Sequence, residues 1–210
     1  MLLLARISVQ QRYKAAGFAA VVIAAALVVS WSPHKNAELK TNQDFLDESK
    51  VEGQWLRQNV PASYVTGVYA AGVVPYFSQR PSLDVLGLND EVIAHTHVPD
   101  FGKGLAGHEK YNLDYVLDQS RPEIILVGGA SATFRTEAFM KAISGDQPGL
   151  VPGLNKLIQD GRTWQRYEMA AFFQSGRWYH FLVRKDVEDN VNAGWIESKG
   201  LINGGRWRGN

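Results

Sequence analysis

The sequence contains no cysteine and carries no large excess of charge of either sign. Its 210 residues include 22 basic and 21 acidic side chains, which gives a formal net charge of +1. The absence of cysteine excludes a disulfide framework, a thiol nucleophile and a cysteine-ligated metal site. The charge balance excludes a strong basic field, so no nucleic-acid partner is expected.

Phosphate-binding and nucleophile signatures are also missing. Gly102-Lys103-Gly104 and the GHEK loop at 107–110 resemble anion-binding loops, but neither has the GxxxxGK[ST] spacing, and no GxGxxG follows a strand. Ser131 and Ser175 lack the context of a nucleophile elbow. No catalytic residue, metal or cofactor is therefore expected. The hydrophobic fraction of 45% with 20% charged residues is typical of a globular chain that buries a core.

Residues 15–31 form an uncharged apolar run without proline, which predicts a transmembrane helix. Arg6, Arg12 and Lys14 precede it, so the positive-inside rule predicts a cytoplasmic segment 1–14 and an extracytoplasmic remainder. We therefore expect a single-pass protein of the cytoplasmic membrane, with lipid as a partner and its soluble domain on the periplasmic side. A signal peptide and a buried core helix are the alternatives.

The remaining chain predicts an α/β domain over 32–190 and a flexible tail over 191–210. A helix is expected over 37–59, strands over 64–74 and 83–86, a helix over 91–95 capped by Asp90, and a helix over 111–119. The apolar run at 123–127 predicts a central parallel strand covered on both faces. Helices over 136–143 and 154–160 and a hairpin of strands over 163–173 and 178–184 complete a small, partly parallel sheet with flanking helices and a C-terminal antiparallel hairpin.

Ionisable residues concentrate between positions 72 and 110. His95, His97 and His108 could hold a metal with Asp100 or Asp84, although ordinary surface histidines are the simpler interpretation. Asp84 lies in an apolar strand, where a carboxylate must be paired or must face a cleft. An ion pair with Arg80 or Lys110 is the structural alternative to a functional role.

Several short motifs occur in a characteristic order: WLRQNVP at 55–61, AGVVPYFS at 71–78, LDVLGLND at 83–90, GHEK at 107–110 and Arg121-Pro122 before the strand. In this order they resemble the C-terminal extracytoplasmic domain of multi-spanning GT-C glycosyltransferases, in particular the group similar to mycobacterial arabinofuranosyltransferases and related bacterial membrane proteins. The resemblance covers roughly residues 15–127. The acidic catalytic residue of that family lies in an early loop among membrane helices that this sequence lacks.

The resemblance implies a role in cell-envelope glycan synthesis that depends on a polyprenyl-phosphate sugar. This domain would bind or position the acceptor and would not catalyse alone. The implied partners are an envelope glycan or a polyprenyl-phosphate sugar and a multi-spanning membrane protein. A non-catalytic membrane-tethered protein-interaction module is the alternative, and a hydrolase using Asp84 and His108 is a third. The candidate substrate-binding residues are Tyr76, Asp84, Asn89, Asp90, His108, Glu109 and Lys110.

Overall fold

The structure is a computed structural model that describes residues 9–30, 33–99, 101–102, 106–127, 151–191 and 206–207. The predicted helix over 136–143, most of the predicted tail, Asp100 and Ser131 lie outside the described residues. The chain divides into two compact units, Met1–Asp44 and Phe45–Asn210.

The first unit contains helix α1 (Val9–Ser30) and the beginning of helix α2 (Pro33–Asn59). The α1 side chains at positions 13–26 are exposed, among them Phe18, Val21 and Ile23. Among the described residues, no helix is both long and apolar enough to cross a membrane. The helical conformation predicted for this segment is confirmed, whereas its transmembrane role stays a prediction.

The second unit contains a mixed sheet in the order β2-β1-β3-β5-β4-β6. Strands β1, β2 and β3 are parallel, while β5 runs antiparallel to both β3 and β4. The strands are β1 (Thr66–Val68), β2 (Ser82–Asp84), β3 (Ile124–Leu126), β4 (Tyr167–Gln174), β5 (Arg177–Arg184) and β6 (Arg206–Trp207). The prediction of a partly parallel sheet with a C-terminal antiparallel hairpin is confirmed.

Short helices connect and flank these strands. They are α3 (Val73–Ser78), α4 (Glu91–His95), a π-helix (Tyr115–Ser120), α5 (Pro152–Gln159), α6 (Gly161–Arg166) and a 3₁₀ turn (Glu188–Asn190). The prediction for α4 is confirmed, with Asp90 as its N-cap.

Two strand predictions are wrong in their extent. The predicted strand over 64–74 ends at Val68, and α3 begins at Val73. The predicted strand over 163–173 begins with helix α6, because the Asp160 side chain accepts a hydrogen bond from the Arg162 amide and caps a helix there. Local β propensity is overridden at both places.

The sheet is covered on both faces, as its central apolar strand predicts. On one face, here called the α2 face, α2 packs its Trp55 and Leu56 side chains over Ile124, Leu126 and Phe181. The opposite face, here called the cleft face, is covered by α4, the π-helix and α5 through Ile93, Leu117 and Leu157. All three β3 residues are almost fully buried, two against the α2 face and one against the cleft face, which makes β3 the centre of the domain.

An aromatic stack fixes α2 to the hairpin of β4 and β5. The Trp55 ring is parallel to Phe172 with 4.4 Å between centroids, and Phe172 is in turn parallel to Tyr179 at 4.7 Å. About two helical turns before Trp55, the Glu48 carboxylate pairs with Arg177, the first residue of β5. Helix α2 therefore crosses the sheet from the hairpin turn towards the start of β1.

Because β1, β2, β3 and β4 all run in one direction, the sheet has two distinct edges. We define the carboxyl edge as the side where these strands end, at residues 69, 85, 127 and the 175–176 turn, and the amino edge as the side where they begin. Phe181 of β5 pairs with both Leu126 of β3 and Ala170 of β4, so these two residues lie at the same level of the sheet. Strand β4 continues for four more residues, to Gln174. The hairpin therefore projects roughly 13 Å past the end of β3.

Candidate functional site

Asp84 closes a tight turn at the carboxyl end of β2. Its Oδ1 accepts a hydrogen bond from the Leu86 amide at 3.0 Å, and its Oδ2 accepts one from the Asn89 amide at 2.6 Å. The carboxylate thus satisfies two backbone donors of the LDVLGLND segment, and its described partners include neither Arg80 nor Lys110. The predicted ion pair is wrong, because buried backbone amides need an acceptor at this position.

Arg80 has a different task at the opposite edge. Its guanidinium donates to the carbonyl oxygen of Val60 at 2.7 Å and to that of Arg57 at 2.7 Å. These carbonyls end α2, where the last helical turn leaves its acceptors without intrahelical donors. Arg80 is therefore a helix C-terminal cap and not a partner of Asp84.

Gly87 makes the turn after Asp84 possible. Its φ is +75°, and a Cβ there would lie 2.7 Å from the Ala94 amide nitrogen and 2.9 Å from the Ile93 carbonyl carbon. Only glycine accommodates both the left-handed backbone and this close approach to α4. The turn therefore fixes α4 against the end of β2.

Asp90 and Lys110 also perform structural tasks. Asp90 accepts from the Ile93 amide at 2.9 Å, as predicted for a helix cap, and its other oxygen accepts from the Tyr115 hydroxyl at 3.3 Å. Burial and the Asp90 carboxylate both raise the pKa of Tyr115. The Lys110 Nζ donates to the Thr96 carbonyl at 2.6 Å and lies 4.8 Å from the centroid of the Phe101 ring.

Glu109 organises the glycine-rich loop from within. It is buried, and its Oε1 accepts from the Gly102 amide at 2.9 Å. The remaining predicted residues lie towards solvent. Tyr76 is 73% exposed on α3, Asn89 is exposed, and His108 is half-buried with its Nδ1 3.2 Å from the Ala106 carbonyl oxygen. The predicted set is therefore spread over one segment and does not converge on one point.

The histidines do not form a metal site in the part of the chain that the structure describes. No group of three or more His, Asp or Glu side chains there could hold a metal ion. His95 is tied to its own helix, with its Nδ1 2.8 Å from the Glu91 carbonyl oxygen. The position of Asp100, proposed as a further ligand, lies outside the described residues.

A shallow cleft lies on the cleft face at the carboxyl edge. Its volume is about 250 Å³ including the space at its open mouth. It lies where β1 and β2 end. Strand β2 lies on one side of β1 and β3 lies on the other, so the strand order reverses at β1. Ligands of open α/β sheets bind at such reversal points. The cleft is lined by Tyr69, Val85, Tyr111, Asn112, Leu113, Val116, Gly153 and Leu157.

Two tyrosines supply most of the chemistry of the cleft. Tyr69 follows β1 directly, and burial raises the pKa of its hydroxyl, which therefore stays protonated. Among the described residues, neither the Tyr69 hydroxyl nor the Tyr111 hydroxyl has a hydrogen-bond partner. Lys156 lies above the Tyr111 ring, 5.5 Å from its centroid. The lining contains no carboxylate and no cation.

Backbone and amide contacts hold the Tyr111 side of the cleft in place. A Cβ at Gly153 would lie 2.8 Å from the Tyr111 Cβ, so the first turn of α5 approaches this tyrosine as closely as glycine permits. Asn112 accepts from the Tyr115 amide at 2.9 Å and donates to the Thr96 hydroxyl at 3.0 Å. The cleft is thus a preformed apolar recess with two phenol groups.

Sequence reasoning identified the surrounding segment but missed Tyr69, Tyr111 and Asn112. Tyr69 lay inside a predicted strand, and Tyr111 and Asn112 began a predicted helix. The signal that could have found Tyr69 is its place as the residue after a parallel strand, because such positions meet at the carboxyl edge. Gly153 becomes relevant only through the tertiary contact.

Comparison with known proteins identifies a family without indicating an activity. No curated protein and no solved structure matches the chain. A family described as Domain of unknown function (DUF8728) matches residues 38–186, which covers the sheet from β1 to β5 and the cleft. This match spans well over half of the sequence, and the chain belongs to the DUF8728 family.

Proposed function

We propose that the domain binds a glycan acceptor in the cleft at the carboxyl edge, as a non-catalytic part of GT-C-type, polyprenyl-phosphate-sugar-dependent glycan synthesis in the cell envelope. The cleft lined by Tyr69, Tyr111 and Asn112 carries this proposal. Aromatic rings present an apolar face with a polar hydroxyl at the rim, and this combination matches the two sides of a sugar ring. The resemblance of the sequence motifs supplies the reaction class.

The size and polarity of the cleft define what it can take. The enclosed space is only about 10 Å³, so the cleft can contact one face of a sugar ring and cannot surround it. The two phenol hydroxyls can donate to or accept from sugar hydroxyls. Because no charged side chain lines the cleft, a neutral sugar suits it better than the phosphate of the donor.

The proposal includes membrane association through α1, with the domain on the extracytoplasmic side. The residues at 15–31 contain no charged side chain, and the described α1 side chains are exposed. An exposed apolar helix of this kind needs an apolar cover, which a lipid bilayer provides. Flotation of the full chain with vesicles, followed by extraction with carbonate, tests this part. Release into the soluble fraction would contradict it.

Saturation-transfer NMR on the full chain with neutral oligosaccharides, including arabinofuranosyl fragments, tests glycan binding. We expect Tyr111→Ala to weaken binding by roughly threefold to tenfold, because one aromatic contact contributes roughly 0.5–1.5 kcal/mol. Tyr76→Ala is the matched control, since Tyr76 is exposed on α3 and outside the cleft.

The outcomes separate the competing interpretations. Loss of binding in Tyr76→Ala with full binding in Tyr111→Ala would move the site to the segment that the sequence predicted. An absence of transfer at millimolar glycan would remove the glycan proposal and favour a protein-interaction module. Transfer of sugar by this chain alone would show that it is catalytic, contrary to the proposal.

A further inference from the structure

Asn112 is the residue of the cleft lining whose polar side chain is fixed from two sides. Its Oδ1 accepts a hydrogen bond from the Tyr115 amide at 2.9 Å, and its Nδ2 donates one to the Thr96 hydroxyl oxygen at 3.0 Å. Because a backbone amide can only donate, the oxygen and nitrogen of the Asn112 side chain cannot exchange places. The side chain therefore presents a defined donor and a defined acceptor.

The Thr96 hydroxyl sets the direction of the bond to Asn112. Its hydrogen is donated to the Val92 carbonyl oxygen at 2.8 Å, so the hydroxyl oxygen is left to accept. Thr96 follows α4 directly, and its own amide donates to the Ile93 carbonyl oxygen. The end of α4 thus determines how the Asn112 side chain is oriented.

Asn112 keeps hydrogen-bonding capacity after these two contacts. An asparagine amide has two N–H donors and two acceptor lone pairs, and contacts within the described part of the chain engage one of each. One N–H and one lone pair remain for a ligand. Asn112 lines the cleft together with Tyr69 and Tyr111. The polar side chains of the lining are therefore neutral groups that both donate and accept.

Two further hydrogen bonds connect α4 with the chain on either side of Asn112. The Lys110 Nζ donates to the Thr96 carbonyl oxygen at 2.6 Å. The Tyr115 hydroxyl donates to Asp90, the N-cap of α4, at 3.3 Å. Helix α4 contributes no residue to the cleft lining, but it holds the segment that does. The helix that follows the LDVLGLND motif is therefore a frame for the cleft.

We infer that Asn112 fixes the orientation of the sugar ring that the cleft binds, and that Thr96 is its positioning residue. The inference rests on the proposed glycan binding and adds the group that recognises the sugar. A donor and an acceptor on one amide match neighbouring hydroxyl groups of a ring that lies against Tyr111. The aromatic contact favours any such ring, whereas the amide distinguishes rings by the positions of their hydroxyl groups.

Titration of the full chain with methyl arabinofuranoside and its monodeoxy analogues, followed by saturation-transfer NMR, tests this inference. We expect wild type to bind at least one analogue roughly threefold to tenfold more weakly than the parent glycoside, because one neutral hydrogen bond is lost. Asn112→Leu has a similar size and makes no hydrogen bond. This variant should bind the parent glycoside and that analogue with equal affinity.

Thr96 variants test the positioning role without changing Asn112. Thr96→Val keeps the shape of the side chain but removes the hydroxyl, and it should reduce the discrimination at least about twofold. Thr96→Ser keeps the hydroxyl and should retain the discrimination of wild type. Tyr115→Phe is the matched control, because it removes a hydrogen bond between the same two segments and Tyr115 does not line the cleft. Circular dichroism of each variant verifies the fold.

The outcomes separate this inference from the proposed function. Unchanged discrimination in Asn112→Leu and Thr96→Val, with binding that still depends on Tyr111, would overturn the inference and leave the glycan site in place. Equal binding of all the glycosides by wild type would do the same. Reduced discrimination in Tyr115→Phe would show a general loosening of the cleft wall and would overturn the role of Thr96. Binding of no glycoside by wild type would remove the inference and the proposed function together.

Discussion

The two edges of the sheet differ in the contacts that their side chains make. At the amino edge, Arg162 pairs with Asp114 at 2.7 Å and Asp118 at 2.6 Å, and Arg184 pairs with Glu123 at 3.0 Å. At the carboxyl edge, tight turns, a small cleft and exposed apolar side chains prevail. Glu48 and Arg177 form an ion pair at the carboxyl edge too, but the arginines that bind more than one carboxylate, Arg162 and Arg184, lie at the amino edge.

Ionisable groups differ between the edges in the same way. At the amino edge, hydrogen bonds from arginines lower the pKa of Asp118, Asp160 and Asp186. Towards the carboxyl edge, burial lowers the pKa of His180 to about 4 and raises that of Glu52 to about 8. The first set stabilises the fold through its charges, whereas the second is held in its neutral form.

The largest expected effect concerns Glu52, whose Oε1 is buried without a hydrogen-bond partner among the described residues. Because its native pKa is about 8 and its ordinary value is 4.5, its contribution is fully present below pH 4.5 and is lost as pH rises through about 8. The loss is at most about 5 kcal/mol. Urea unfolding at pH 5 and pH 9 measures it.

Glu52→Gln should remove that part of the pH dependence, because the amide cannot ionise. Glu48→Gln is the control, because Glu48 lies on the same helix as Glu52 but is paired with Arg177 of β5. Equal pH dependence in wild type and Glu52→Gln would show that Glu52 is ionised in the folded protein, and the contrast between paired and neutral groups would fail.

Gly87→Ala should destabilise the carboxyl edge by roughly 3 kcal/mol, from both the left-handed backbone and the contact with α4. Gly176→Ala is a matched control, because Gly176 has φ +76° but open space around its Cβ position. We expect roughly 1 kcal/mol there, from backbone strain alone. Denaturant unfolding measures both variants, and equal losses would mean that the approach to α4 costs nothing.

Arg184→Ala should cost about 2 kcal/mol, because it leaves the partly buried Glu123 without its cation and frees the Arg121 carbonyl. Thermal unfolding gives the loss. Glycan binding measured by saturation transfer should not change, since Arg184 lies at the amino edge and the cleft lies at the carboxyl edge. A change in glycan binding would show that the two edges are coupled.

The smallest effect is expected for Arg162→Gln, whose ion pairs are largely accessible to solvent. We expect a small decrease in melting temperature that shrinks at high salt, because salt screens exposed charges. The same decrease at low and high salt would indicate that the hydrogen bonds of Arg162, and not its charge, hold α6 to the π-helix.

The parts of the fold that local signals specify could be predicted. Asp90 caps α4 through a contact three residues away, and the apolar run around Ile124 is long enough to indicate a central strand. Residues 163–166 lie in a predicted strand but form part of a helix, because Asp160 caps a helix that begins at Gly161. Thr163 and Trp164 favour a strand by composition, but the hydrogen bond from the Arg162 amide to Asp160 starts a helix.

The cleft could not be predicted because its residues come together only through topology. Tyr69, Tyr111 and Gly153 are separated by about forty residues at each step and share no local motif. Asp84 illustrates the converse case. Its place in an apolar strand correctly indicated a constrained carboxylate, but the constraint comes from backbone amides two and five residues ahead.

The contrast in strand length has a consequence for the order of folding. In the β4–β5 hairpin, eight residues of each strand pair across a two-residue turn. Strands β1 and β3 pair at only two positions, Thr66 and Gly67, and each partner lies 58 residues further along the chain. Hairpins form within roughly microseconds, while distant parallel pairings must first close long loops. The hairpin is therefore the expected folding template, on which Trp55 of α2 and then the parallel strands assemble, so the cleft is among the last features to form.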